Sequence, residues 1–360
     1  MELVEKGMFR ITGYTADAAG CGAIRVVIPF ILLNQLKVDN FQFSGYFNNM
    51  FTKDVSYYNH STIIQFQRAA TEKHLEYFEL VRRKIKVLTR SALVYEIDDD
   101  LFNVPKWNFA ADYYSQYRIF IVEMLSKADG LIVSTQTLKN LYNKYNNNIH
   151  IIPNHLPRFV WGEVDFQRND TKKPRILYPC SSNHFSIKSE IKGGDIGPTL
   201  LEYIRKTTDD YDWHFAGGIP QELNDLVQAG KITRHLWHSV YEYPRFLKSL
   251  KADIGIAPLE INEFNRSKSG IKSQEFSALG IPAVFTKIDP YDTMTLQASS
   301  DEEFIGHIES LRDVDRRYSV WQADRDTLRD NLFWEDDNYL NLKRFVKTYL
   351  NLIKKDVSFV

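Results

Sequence analysis

Apolar residues along this chain cluster in short continuous runs, separated by longer stretches with helical spacing, which is the pattern of buried parallel strands crossed by helices. In chain order the runs predict strands at Met8–Tyr14, Ser61–Phe66, from Leu93 up to the carboxylates Asp98, Asp99 and Asp100, at Ala128–Thr135 and at Ile149–Asn154. Helical spacing lies between them, over 24–36, 71–88 and 136–145. Periodicity then fades from Leu156 to Pro174, where Pro157 and Gly162 interrupt a charged stretch. A second series follows, with strands at Arg175–Tyr178, Trp213–Gly217, Ala252–Leu259 and Ala283–Phe285, and helices over 197–206, 241–250 and 273–279. Apolar Leu340, Leu342, Phe345, Val346, Tyr349, Leu350 and Ile353 give a last amphipathic helix over 337–355. The expected layout is α/β with two domains, 1–160 and 175–335, joined by a linker over 161–174 and closed by the helical segment 336–360.

The most informative stretch runs from Phe264 to Val284. A strand leads into a polar loop bearing Arg266, Lys268 and Lys272. A short helix follows, ended by Gly280 with Pro282 just beyond, the expected punctuation of a helix C-terminus. Such a βαβ unit points a helix N-terminus, with its free N–H groups and partial positive charge, at whatever the loop binds. Phosphate suits that end, the three basic side chains add full charges, and Glu275 on the helix suits a pair of ribose hydroxyls. A solvated basic loop capping an ordinary helix is the plain alternative.

Other positions carry candidate chemistry with less specificity. Gly20-Cys21-Gly22 after the first strand lies where an α/β sheet binds ligands, but the Gly-x-Gly-x-x-Gly fingerprint fails at Arg25. Three adjacent carboxylates, Asp98 to Asp100, repel one another at a strand end. They fit a divalent metal, sugar hydroxyls or an acid–base role, or the N-terminus of a helix. The loop from Pro179 to Gly194 holds Ser182, His184 and Lys192.

The Phe264–Val284 stretch closely resembles the donor-site signature of GT-B glycosyltransferases, particularly glycosyltransferase family 4. Glu275, the Ala278-Leu279-Gly280-Ile281-Pro282 run and Gly270 match that pattern, while Ser267 stands where the family commonly has a second glutamate. The Ile97-Asp98-Asp99-Asp100-Leu101 run is similar to an acidic element of a bacterial and phage subset. The resemblance implies two Rossmann-like domains facing a cleft, the last helix crossing back to the first domain, and retaining sugar transfer from a nucleotide sugar to an acceptor hydroxyl. It places Asn265, Arg266, Ser269, Gly270, Ile271, Glu275, Ser182, His184, Lys192 and Gly217 on the nucleotide sugar, and Gly22, Arg25, Asp99 and His155 on the acceptor side. Catalysis would rest on Lys268 and Lys272 against the diphosphate, with Asp98 and Asp100 in the facing domain. No metal ligands are assigned; a divalent metal is allowed for but not required.

Composition narrows the partners. The chain has 360 residues, enough for two domains, and its 45 basic and 46 acidic side chains leave no global field for nucleic acid or membrane. The densest basic cluster, Arg82, Arg83, Lys84, Lys86 and Arg90, interleaves with Glu72, Glu76 and Glu79 and reads as a solvated helix face. Two distant cysteines form no disulfide or metal framework, and no apolar run reaches the ~20 residues of a membrane span. A cytoplasmic setting without stable membrane insertion is expected. The acceptor stays open between a glycan and a hydroxymethylated base in phage DNA. Rival readings are a metal-dependent GT-A transferase using Asp98-x-Asp100, a GT-B nucleotide-sugar epimerase and a non-catalytic sugar-nucleotide sensor.

Overall fold

A computed structural model describes residues 9–17, 20–35, 41–47, 61–85, 91–186, 193–335 and 339–357. The chain divides into two compact α/β units, each built on a parallel sheet. The first unit takes Met1–Phe102, Tyr114–Asn154 and Trp334–Val360; the second takes Asn103–Tyr113 and His155–Phe333. The segment 161–174 therefore lies inside the second unit. Among the described residues no helix is long and apolar enough to cross a membrane.

In the first unit the strands are β1 (Phe9–Thr15), β2 (Phe41–Phe47), β3 (Ile63–Gln67), β4 (Ala92–Ile97), β5 (Gly130–Val133) and β6 (Ile149–Ile151). They lie in the order β2-β1-β3-β4-β5-β6, and every pairing is parallel. Strands β3, β4 and β5 are buried throughout, as helices covering both faces require. The helix after β1 is not one regular cylinder: Ala23–Val27 forms a π turn leading into the α-helix Ile28–Gln35. Thr71 caps the helix Glu72–Leu80 in a capping box with His74.

The last helix, Leu340–Val357, completes this unit. Its Phe345 ring meets Phe30 and Phe43, and the Tyr349 hydroxyl donates to Gln65 Oε1 on β3 at 2.5 Å. Buried Leu342, Phe345, Tyr349 and Leu352 each contribute about 2 kcal/mol of apolar burial.

The second unit contains β7 (Arg175–Cys180), β8 (Asp212–Gly217), β9 (Ile232–His235), β10 (Ile254–Ala257), β11 (Ala283–Thr286) and β12 (Gln297–Ala298). Their order is β12-β11-β10-β7-β8-β9, again all parallel. Side chains alternate between two cores. Ile176, Tyr178, Ile254, Ile256 and Val284 face one layer, with Leu200, Ile204 and Ile308. Leu177, Ala257, Ala283 and Phe285 face the other, with Leu247 and Phe276. Phe276 belongs to the helix Ile271–Ala278, and its ring fills the space over Gly255 that any side chain on β10 would occupy.

That helix ends as its sequence predicts. Gly280 has φ +73°, its N–H reaches Ser277 O at 3.4 Å, and Ile281 N–H reaches Phe276 O at 3.0 Å, the paired bonds of a Schellman cap. Its start lies two residues before the predicted Ser273.

Candidate functional site

In an open parallel sheet, ligands sit beyond the carboxyl ends of the strands where the order of connection reverses. In the second unit that point falls between β7 and β10. The loops after these strands meet at Asp195, whose side chain is only 2% exposed. Its Oδ1 accepts from the Glu260 N–H and from Asn265 Nδ2, both at 2.8 Å, and its Oδ2 lies 2.7 Å from His184 Nδ1. Glu260 is itself fixed by Trp107 Nε1 at 2.9 Å and Asn262 Nδ2 at 2.8 Å. One fully buried polar atom in this neighbourhood, Asn265 Oδ1, has no hydrogen-bond partner among the described residues. Buried groups of that kind are rare outside sites that hold water or ligand.

Beside this hub stands the helix Ile271–Ala278. Gly270 takes the N-cap position and offers no capping side chain, so the first amides are not closed off by one. A Cβ there would come within 2.4 Å of the Pro290 carbonyl, which is the local reason for glycine. Within its first turn, Lys272 Nζ lies 2.6 Å from Glu275 Oε2 and 3.2 Å from the Tyr243 hydroxyl. The lysine side chain is 19% exposed and the glutamate 6%. Burial pushes the Glu275 carboxyl up, with Lys272 pulling the other way. Burial alone would lower Lys272, but the Glu275 charge and Tyr243 outweigh it and raise the ammonium above its ordinary value. The result is a desolvated ion pair with its cation locked in the charged state.

The two clusters share one neighbourhood. Burial raises the Tyr291 hydroxyl, and the charges of Lys272, Asp195 and Glu275 all act on it. Cys180 at the end of β7 is likewise raised by burial, with Lys272 lowering it and Asp195 raising it.

The remaining predicted residues of this unit are placed as follows. Asn265 is buried at the Asp195 hub, and Ser182 is exposed on the short turn that ends at His184. Lys268 Nζ lies 4.4 Å from the centre of the Phe264 ring, and Arg266 pairs with Asp289 at 2.9 Å. Ser269 and Ile271 are half-buried at the helix entry. Ser267 is buried and donates to the Phe264 carbonyl at 2.7 Å. Gly217 has φ +109° and packs against the Cys180 carbonyl. Lys192 lies outside the described residues. His155 is buried in this unit, with Nδ1 2.8 Å from the Asn331 carbonyl, which also accepts from Gln274.

In the first unit the reversal falls between β1 and β3. Arg68, directly after β3, has φ +46° and carries its guanidinium into the carboxylate cluster. Its Nη1 lies 3.5 Å from Asp98 Oδ1, 3.3 Å from Asp99 Oδ2 and 2.9 Å from Cys21 Sγ, and its Nη2 donates to the Tyr114 hydroxyl at 2.9 Å. Cys21, Asp98 and Asp99 each offer a ligand atom within 4.8 Å of the others, so they are able to hold a metal ion. The guanidinium already supplies a positive charge there, and burial pushes the Cys21 thiol up, against the thiolate that metals prefer. Asp100 does not join them; its Oδ1 accepts from the Phe102 N–H at 3.0 Å.

Arg25 and Gly22 do local work in this unit. Arg25 is buried, its Nε 2.7 Å from Glu96 Oε1 and its Nη1 donating to Ile152 O and Asn154 Oδ1 at 2.6 and 2.7 Å. Burial pushes Glu96 up to about 7 despite that arginine. The Gly22 N–H donates to Asp17 Oδ1 at 3.1 Å.

Sequence reasoning does not single out Asp195, Tyr243 or Arg68. The nearest side-chain partner of Asp195 is 11 residues away and another is 70, so no local spacing marks it. An acidic residue directly after Gly193-Gly194 in a strand-to-helix loop is the one available signal.

No family model matches the chain, and no curated protein matches it. Among solved structures it is similar to a D-2-hydroxyisocaproate dehydrogenase structure at 10% identity, covering 96% of each chain, with a TM-score of 0.21; likeness at that level carries nothing about chemistry.

Proposed function

We propose that this protein is a glycosyltransferase of the GT-B type, similar to glycosyltransferase family 4, moving a sugar from a nucleotide sugar to an acceptor hydroxyl. The observation that carries the reading is the buried Lys272–Glu275 pair on the first turns of the helix after β10, beside the reversal point of the sheet. In this reading one Glu275 oxygen keeps Lys272 in place and the other accepts from the ribose hydroxyls. Lys272, the helix amides and Lys268, with Lys192 from the preceding loop, neutralise the diphosphate as the bond from the sugar C1 to the phosphate oxygen breaks. Such preorganised charge stabilises the leaving group without reorganising water at the moment of reaction. The protein's own cations then do the work that other transferases assign to a metal, so activity is expected to survive EDTA. Arg68 among Asp98 and Asp99 supports the same economy in the first unit, which would receive the acceptor. Ser267, turned to the Phe264 carbonyl, leaves the family's upstream carboxylate role unfilled.

The test is a thermal-shift panel of UDP-, GDP-, ADP- and TDP-sugars. One nucleotide is expected to raise the melting temperature, and Glu275→Ala to abolish that rise while the variant stays folded. A shift unchanged by Glu275→Ala removes that residue from the ribose role. No shift with any of the nucleotide sugars overturns the reading.

A further inference from the structure

The helix Leu340–Val357 carries a second apolar stripe beside the one it buries on the sheet. Leu342, Val346 and Leu350 recur every four residues and so form a ridge along one side of it. Between this ridge and Leu33, on the helix Ile28–Gln35, runs a groove of about 420 Å3 that opens to solvent. Its floor lies deep, with Leu33 and Leu342 each 1% exposed. It starts at Tyr339, which is 44% exposed, and extends over about 16 Å to Leu350, at 1.5 Å per helical residue.

The polar side-chain groups on the groove are the Tyr339 hydroxyl and the ammonium groups of Lys343 and Lys347, two exposed lysines one helical turn apart. No carboxylate is among the described residues that line it. The helix Ile28–Gln35 has no charged residue, and from Leu340 to Leu352 the last helix has Lys343, Arg344 and Lys347 but no acid. Arg344 reaches Asn341 Oδ1 at 3.4 Å, whereas neither lysine joins an ion pair among the described residues. Lysine stems lie along apolar surface while their charges reach outward, so two positive charges sit together above an apolar floor. That arrangement suits a ligand with one long apolar body and one anionic end. A cationic chain would meet like charges, and a bare anion such as phosphate would leave the floor uncovered. Seven lining residues are far fewer than the roughly 20–30 a side of a stable protein interface. The volume falls among those of small-molecule sites, about 300–1,000 Å3. An intact bilayer keeps its chains behind its head groups, so the buried floor admits a chain that enters singly.

We propose that this groove binds a single-chain fatty carboxylate, its chain along Leu33, Leu342, Val346 and Leu350 and its head between Lys343 and Lys347. Affinity comes from the methylenes removed from water, and the two lysines select the charge of the head. The site lies wholly in the first unit and stands apart from the nucleotide-sugar reading, so either can fail without the other.

The experiment is titration calorimetry of the full chain with decanoate, dodecanoate and tetradecanoate, each below its micelle concentration. One molecule is expected to bind per chain, with affinity rising roughly 4- to 15-fold for each two carbons, as half to all of each added methylene leaves water. The double variant Lys343→Glu/Lys347→Glu, changed only at exposed positions, is expected to lose about 10-fold for dodecanoate. It should also gain affinity for dodecyltrimethylammonium, which carries the same chain on a cationic head. Leu350→Trp keeps both lysines and fills the groove, so it is expected to weaken dodecanoate without favouring the cation. Circular dichroism checks the fold of each variant, and Lys343→Ser/Lys347→Ser replaces the charge reversal if that one unfolds. No binding of dodecanoate, an affinity independent of chain length, or a dodecanoate affinity unchanged by loss of the two lysines overturns the proposal. Binding to phosphatidylglycerol vesicles with no binding of the free acids overturns it too, in favour of a membrane-facing role for the same lysines.

Discussion

Replacing Glu275 by Gln strands the Lys272 ammonium in a site where it is four-fifths covered. Removing one member of a buried pair typically costs about 3–5 kcal/mol. A stranded group can also escape by changing its charge. An ammonium of ordinary pKa 10.5 loses its proton at pH 7 for about 5 kcal/mol, which caps the part of the Glu275→Gln penalty that comes from the stranded charge. For Lys272→Met the stranded group is a carboxyl of ordinary pKa 4.5, whose protonation at pH 7 costs about 3 kcal/mol. In that variant the folded pKa of Glu275 rises further above its unfolded value. Its stability contribution is then full below about pH 4.5 and is lost as pH rises, so the Lys272→Met penalty shrinks toward pH 5. In Glu275→Gln the sign is reversed, because the stranded Lys272 has its folded pKa lowered below the unfolded value and that penalty eases only as pH rises. The double variant recovers most of either loss. Five of the six tryptophans lie in the second unit, so fluorescence-monitored urea unfolding reports on the unit that holds the pair. Single variants that each cost less than about 1 kcal/mol, or a double variant whose loss is simply additive, would refute the claim that the pair is desolvated.

Two further outcomes follow from the packing. Glu96, pushed up to about 7 from an ordinary 4.5, makes the native state bind more protons than the unfolded chain between those pH values. Its contribution is present at low pH and falls as pH rises, by at most about 1.4 kcal/mol per unit. Glu96→Gln should therefore gain stability relative to wild type from pH 5 to 7, read by circular dichroism in urea; a flat or falling difference would disprove it. Gly280→Ala places a Cβ at φ +73° and within 2.6 Å of the Asp165 carbonyl, so a loss of about 2 kcal/mol or more is expected in second-unit unfolding, and an unchanged midpoint contradicts the cap.

The interior strands are legible in the sequence because both faces are buried, which leaves apolar-rich runs at Ile63–Gln67, Ala92–Ile97 and Ile254–Ala257, interrupted by Gln65, Gln67 and Glu96. The edges are not. Phe41–Phe47 mixes Gln, Ser and Gly with its aromatics, and Ile232–His235 buries only Ile232, so neither announces a strand. The helices Ala111–Lys127 and Val314–Leu328 also go unmarked; the latter buries charged Arg317 and Asp324, which apolar spacing misses. At the candidate site, short-range chemistry is readable: a lysine and a glutamate three residues apart share a helix face. What spacing conceals is long-range convergence. Arg68 reaches carboxylates some thirty residues on, and His184 needs Asp195 from across a loop. Arg25 shows the opposite error, since a basic residue after a glycine loop suggests a ligand and here ties together the ends of β4 and β6.

The helix Leu340–Val357 lays its Phe345 and Tyr349 on strands that precede it by some three hundred residues. On a ribosome, the second unit has all its strands in hand while the first still lacks this lid. The apolar flank around Phe30 and Phe43 must wait uncovered until the segment Leu340–Val357 has been made. A nascent chain stalled before Leu340 is thus the form of this protein with the greatest need of a chaperone.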